Sequence, residues 1–172
     1  MENNIQIVGF KFKVDNLDYL LKTSNELSAK YYINPSKMYA LQLLNADAIA
    51  GYDHILNAVI HAINAFERGE NIAKDLGLEI CLRASLQRQI SKALTIMGLK
   101  KGEMNICAVS VNCNEKIIDA LEEILGNRDN SVIDPDMDKL KEIYDISETE
   151  LEIYGSIENL MIEKTAMLIL EV

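Results

Sequence analysis

The segment from Asp53 to Phe66 constrains the fold more than any other part of this chain. Ile55, Val59, Ala62, Ile63 and Phe66 recur at three- and four-residue spacing, and Gly69 follows where a C-cap glycine belongs. An amphipathic helix of that length must bury its apolar face against a second layer. Runs rich in β-formers can supply that layer: IQIVGFKFKV at 5–14, LEICLRA at 78–84 and NICAVSV at 105–111 each read as a strand. Asp15 is expected to cap a helix through about Ala29, with Leu17, Leu20, Leu21 and Leu27 on its apolar side. A second short helix is expected from Ser36 to Leu44, and a helical turn from Asn71 to Leu76 ending at Gly77. Ser85 reads as the N-cap of a helix closed by Gly98, and Asn114 as the cap of one ending at Gly126. Ser147 and Glu150 have capping-box spacing, and Ser156 can cap a last helix. The expectation is an α/β fold of α+β type: one domain over residues 1–172, with a small, mostly antiparallel sheet and several helices packed on it.

With 172 residues, nearly half of them apolar and an ordinary charged fraction, the chain can bury a sizeable core. The start of the chain has no basic region followed by an apolar one, so no signal peptide is expected. No apolar run approaches the roughly 20 residues that span a bilayer, and a cytoplasmic location with no membrane partner is expected. Cys81, Cys107 and Cys113 sit in or beside apolar runs and read as reduced, buried thiols.

Charge is unevenly spread. The formal net charge is −10, yet no acidic residue lies between Glu79 and Glu103, and that stretch holds Arg83, Arg88, Lys92, Lys100 and Lys101. On the expected helix Leu86, Ile90, Ala93, Leu94 and Met97 form an apolar stripe, with Gln87, Arg88, Ser91, Lys92 and Thr95 opposite. From Glu115 to Glu163 fifteen acids face four cations. A basic middle and an acidic end suggest two surfaces for two kinds of partner; solvated, solubilising faces are the alternative.

Signatures of catalysis are missing from the sequence. His54 and His61 are seven apart on one helix, whereas helical metal ligands sit more often four apart. Asp134, Asp136, Asp138 and Asp145 imitate a calcium loop, but Lys139 stands where its turn needs glycine. Phosphate-binding glycine loops and a nucleophile elbow are absent, so a non-enzyme without metal or cofactor is expected. The rival reading is a small-molecule-binding or catalytic α/β domain with a pocket near Asp47, His54 and Ser85.

Residues 43–103 carry Leu44-Asn45-Ala46-Asp47, the helix start Gly51-x-x-His54, Leu78-Glu79-Ile80, and Ser85-x-x-x-Gln89-Ile90-x-x-Ala93-Leu94 before Gly98. With these motifs the stretch resembles the small regulatory subunit of the KEOPS complex, the PRPK-binding protein family, in its archaeal type. Leu140-Lys141-Glu142-Ile143-Tyr144 and Glu163 to Leu168 resemble the family's tail. The family often has glycine after the serine; this chain has Leu86. The resemblance implies a subunit without catalysis or a small-molecule substrate of its own. It implies binding to the N-lobe of the small atypical kinase-like ATPase of KEOPS. It further implies support for threonylcarbamoyladenosine formation in tRNA, with direct binding of the tRNA 3′ CCA end.

On that basis Arg83, Ser85, Arg88, Gln89, Lys92, Lys100 and Lys101 are the expected tRNA contacts, with Lys74 a further candidate. For the kinase the expected residues are Leu151, Ile153 and Tyr154, followed by Ile157, Leu160 and Met161 on the last helix. There Ile162, Ala166 and Ile169 widen an apolar stripe beyond what one core needs.

Overall fold

The computed structural model describes residues 2–170, with side chains through residue 168; the expected contribution of the Ile169 side chain lies outside that range. In chain order the elements are β1 (Ile5–Val14), α1 (Leu17–Tyr31), β2 (Ala40–Asn45), α2 (Tyr52–Arg68), α3 (Leu76–Ser85), α4 (Ile90–Met97) and β3 (Gly102–Val111). They continue with α5 (Lys116–Leu125), α6 (Met137–Tyr144), α7 (Glu148–Tyr154) and α8 (Ile157–Leu170). Helices and one three-stranded antiparallel sheet make this an α+β fold, as expected. The chain divides into two compact units: the N-terminal part to Ala46 with Gly98–Val132, and Asp47–Met97 with the chain from Ile133 onward.

The first unit holds the sheet, in the order β1-β3-β2. Its register pairs Ile5 with Val111 and Val14 with Gly102 on one side of β3, and Ala40 with Val111 on the other. Alternation puts Val8, Phe10, Val14, Leu41, Leu43, Ile106 and Ala108 into one cluster with Leu20 of α1 and Ile117, Ile118, Leu121 and Leu125 of α5. Asn16, one residue later than expected, caps α1 by accepting the Tyr19 N–H at 3.0 Å. The outer edge of β1 is closed by the segment after α5. Asp129 N–H donates to Gly9 O at 2.7 Å, and Gly9 N–H donates to Asn130 Oδ1 at 2.9 Å. A Cβ at Gly9 would stand 2.4 Å from the Asp129 carbonyl oxygen, so glycine is what lets the backbones meet.

Strand β2 replaces the helix expected over Ser36–Leu44. Leu41 and Leu43 share the cluster face, and the backbone of 40–45 is taken up by pairing with β3. Neighbouring strand edges outweigh the weak preference of six residues whose apolar pattern suits either state.

The second unit is helical. Ile55, Ala58, Val59, Ala62, Ile63 and Ala65 form the buried side of α2, close to the expected stripe, and Gly69 caps it in the left-handed conformation at φ 70°. No side chain at Gly51 caps the start of α2. Instead Glu158 of α8 accepts the Asp53 N–H at 3.2 Å, and its carboxylate occupies the space that a Cβ on Gly51 would need. A second cluster gathers Ala50, Leu140, Ile146, Ile157, Leu160 and Met161.

Residues 78–84 belong to helix α3 and not to a strand. Asp75 caps it by accepting the Leu78 N–H at 2.8 Å, and every residue from Leu76 to Ser85 except Leu78 is buried. Its two charged residues, Glu79 and Arg83, pair inside the unit, so α3 has no solvent-facing polar stripe from which a helical period could be read. Ser85 is therefore the last residue of a helix, not the cap of the next, and Gly77 lies buried inside it. Leu86 follows at φ 62° and ψ 31°, its N–H donating to Leu82 O. That left-handed position is where glycine costs least; a leucine there gives up roughly 1–2 kcal/mol, offset by packing of its side chain against the second cluster.

Candidate partner-binding surfaces

The basic stretch does not lie on one continuous helix face. Arg83 and Ser85 point inward and are buried. The Arg83 guanidinium donates to Glu79 Oε1 from Nε at 3.1 Å and from a terminal nitrogen at 2.8 Å, while Glu79 Oε2 accepts the N–H groups of Ile72 and Ala73 at 2.9 and 2.7 Å. This cluster engages both carboxylate oxygens of Glu79 and ties α3 to the turn before it. Ser85 Oγ donates to Leu82 O within α3. Both residues hold the helix end in place and present nothing to solvent.

The other expected contact residues divide between the units. In the helical unit Gln89 and Lys92 are exposed around the start of α4, and Lys74 is exposed in the turn before α3. Arg88 is half-buried and donates to the Leu168 carbonyl in the last turn of α8, a good position for a cation beside the negative end of a helix. In the sheet unit Lys100 and Lys101 are exposed in the turn entering β3. Leu94, expected on the inner stripe of α4, is 40% exposed; Ala93 and Met97 are the residues that α4 buries.

The acidic stretch is divided between the two units, and its part from Ile133 onward lies in the helical one. Ser147 accepts the Glu150 N–H at 3.2 Å to start α7, as its spacing predicts, and Glu150 pairs with Lys164 of α8 at 2.7 Å. That lysine holds the Glu150 carboxyl below its usual range. Leu151 and Tyr154, three apart, pack against the second cluster. Ile153 falls on the opposite side of α7 and is 71% exposed. Ile157, Leu160 and Met161 are core residues, so the expected α8 stripe faces inward. Met167, which the stripe did not include, is the large apolar residue that α8 exposes among those whose side chains are described.

A family profile described as kinase binding protein CGI-121 matches residues 19–168. The chain belongs to the CGI-121 family. Among curated relatives, the regulatory protein Cgi121 of Methanocaldococcus jannaschii is 35% identical over 128 residues, which cover 74% of this chain and 81% of that protein. The KEOPS complex subunit Cgi121 of Pyrococcus abyssi is 33% identical over 90 residues, 52% of this chain and 53% of that subunit.

In this CGI-121 family member His54 and Ser85, two of the three residues of the rival pocket, are buried. His54 is fully buried, its Nδ1 accepting the Ala50 N–H at 2.9 Å and its Nε2 lying 3.1 Å from Ala84 O. Those partners fix the neutral tautomer with the proton on Nε2. The Tyr144 hydroxyl donates to Ala48 O at 2.7 Å, and burial pushes its phenol pKa upward. Asp47 accepts from Lys139 Nζ at 3.3 Å, and Asp136 of the calcium-like run caps α6. Among the described residues no group of acids, histidines and cysteines is arranged to hold a metal, and no helix is long and apolar enough to cross a membrane. Cys81 and Cys107 are buried free thiols, each pushed up to about 12 by desolvation, with the Asp75 charge adding to the effect at Cys81.

Burial lowers the His54 pKa from 6.5 to about 4. Between those values the unfolded chain takes up a proton that the folded one refuses. Stability is therefore complete above about pH 6.5 and falls as the pH drops toward 4, by on the order of 3 kcal/mol from this residue. Urea unfolding between pH 7 and 4.5 is expected to show that slope, and His54→Asn to flatten it. A wild type equally stable across the range would mean that His54 accepts a proton in place.

Proposed function

We propose that this chain is the non-catalytic regulatory subunit of a KEOPS-type complex in the cytoplasm, its two units serving as one regulatory-subunit domain. In this reading it binds the small atypical kinase/ATPase subunit through the outer side of α7. It also recruits tRNA by the single-stranded 3′ CCA end, supporting threonylcarbamoyladenosine formation. The observation that carries the kinase half is Ile153, a large aliphatic side chain exposed to 71% on a helix whose other apolar residues pack inward. An aliphatic group so placed does nothing for the monomer and suits the centre of an apolar contact. Family membership across residues 19–168 supports the same reading.

The tRNA half rests on Arg88, Gln89 and Lys92 in the helical unit, with Lys100 and Lys101 in the sheet unit and Lys74 as a further cation. In a molecule of net charge −10, phosphate attraction requires cations gathered away from acids. The test is a gel shift comparing intact tRNA with tRNA trimmed of its CCA end. Intact tRNA is expected to bind and trimmed tRNA to bind much more weakly; Arg88→Glu with Lys92→Glu is expected to cost on the order of tenfold at moderate salt. A thermal melt confirms that the variant folds. Equal shifts for both tRNAs would remove CCA recognition from the proposal.

A further inference from the structure

Leu86 holds a backbone conformation that leucine rarely adopts, and its neighbours account for it. Its φ of 62° and ψ of 31° lie in the left-handed region, where a Cβ crowds the backbone and glycine is favoured. Among the described residues the other non-glycine positions at positive φ are Asn112 and Asp145. Their short polar side chains make that region accessible, so the aliphatic Leu86 is the one that needs an outside reason. Closing α3 is not that reason. The Leu86 and Gln87 N–H groups both donate to Leu82 O, the second at 3.1 Å, and a glycine at position 86 would make the same bonds. What the leucine adds is a side chain packed on the second cluster.

That cluster is shared. Ile157, Leu160 and Met161 bring α8 to it, and Leu151 and Tyr154 pack α7 against it, leaving Ile153 exposed. The chain on both sides of Leu86 is also tied to α8. Thr165 Oγ1 lies 3.5 Å from Arg83 O, and the Arg88 guanidinium donates to the Leu168 carbonyl. Gln89 and Lys92, both exposed, follow at the start of α4. Leu86 therefore stands between the turn that carries the proposed RNA contacts and the helix that carries the proposed kinase contact, all within the helical unit.

A leucine keeps a left-handed backbone only while its packed side chain outweighs the backbone cost. When α7 and α8 loosen, Leu86 gains by returning to an ordinary conformation, and the turn after it changes direction. When the turn is pulled away, the cluster loses a packed side chain and α7 is held less firmly. Seated and released states thus differ by a small balance of opposed contributions. Under that condition a local change at one end is carried to the other.

We propose that Leu86 is a positioning residue that couples the Arg88–Lys92 turn to α7, holding the RNA contacts in place while α7 is packed. The role in RNA binding rests on the proposed function; the coupling is a property of the free chain and is measured there. Hydrogen exchange of the full chain is read amide by amide by NMR. Leu86→Gly removes the side chain and the backbone cost together, so its melting temperature is expected to stay within about 4 °C of wild type. Its α7 amides are expected to exchange at least about fivefold faster. Conversely, Leu151→Ala is expected to speed exchange of the Gln87 and Ala93 amides, which bond to Leu82 O and Gln89 O, by a similar factor. Leu86→Met, whose side chain still reaches the cluster, is expected to exchange like wild type in α7. In the gel shift Leu86→Gly and Leu151→Ala, which alter no charge, are each expected to weaken binding of intact tRNA by about fivefold. Unchanged α7 exchange in Leu86→Gly, unchanged Gln87 and Ala93 exchange in Leu151→Ala, or an unfolded Leu86→Gly protein would each overturn the coupling. Wild-type tRNA affinity in both variants would overturn the positioning role. A wild type that shifts no tRNA would instead remove the RNA reading, and the exchange measurements would still decide the coupling.

Discussion

Arg83→Ala is expected to destabilise the helical unit by about 3–5 kcal/mol, measured by urea unfolding at pH 7. The guanidinium is the sole cationic partner shown for Glu79, whose carboxylate is fully buried. Its removal leaves an anion in a low-dielectric interior, held by the Ile72 and Ala73 amides alone. Against a typical total of roughly 5–15 kcal/mol, that loss removes about a fifth of the stability or more. Glu79→Gln combined with Arg83→Met is expected to cost less than the single change, because no unpaired charge remains. The experiment also separates two roles for a residue in the basic stretch. A stable Arg83→Ala protein that has lost RNA affinity would show the guanidinium reaching solvent.

Ile153→Glu is expected to abolish association with the kinase subunit while the monomer keeps its melting temperature. A residue at the centre of an apolar contact contributes about 2 kcal/mol or more, so the affinity should drop at least about thirtyfold. Placing a carboxylate there adds the cost of desolvating it, along with repulsion from any acid opposite. On α7 itself the change touches nothing buried, since Leu151 and Tyr154 make the inward contacts. Co-purification with the kinase subunit and a thermal melt are the two readouts. Retained binding removes Ile153 from the interface, and an unfolded variant would place the side chain in the core.

Candidate surfaces were legible in part. Ile153 stands out in sequence as an aliphatic residue among acids, and the structure exposes it. Ile157, Leu160 and Met161 follow the same spacing logic as any interface stripe, and spacing does not say whether the opposing surface is this chain or another; all three are core. Arg83 looked like part of a basic face because its partner Glu79 lies outside the acid-free window by one position. The i, i+4 spacing of that pair was the available signal, and it becomes informative once 76–85 is known to be a helix. The stacking of Tyr32 on Tyr39 had no sequence signature: the two are seven residues apart across a turn, and Asn112 at the end of β3 holds Met38 beside them.

Residue pattern alone was enough for β1, α2, β3 and the capped helices of the C-terminal part. In each, the period of the apolar residues and the end-signals agree, so local preference and final environment point the same way. The stretch LEICLRA and the segment from Ser36 to Leu44 were decided by tertiary context. A segment buried on all sides loses the polar face that distinguishes a helix from a strand, and only its neighbours choose its backbone. For α3 the choice came from packing among helices, with Asp75 at its start and Leu86 in the position that favours glycine. For β2 it came from the open edge of β3, whose hydrogen-bonding groups could be satisfied by an extended partner and not by a helix.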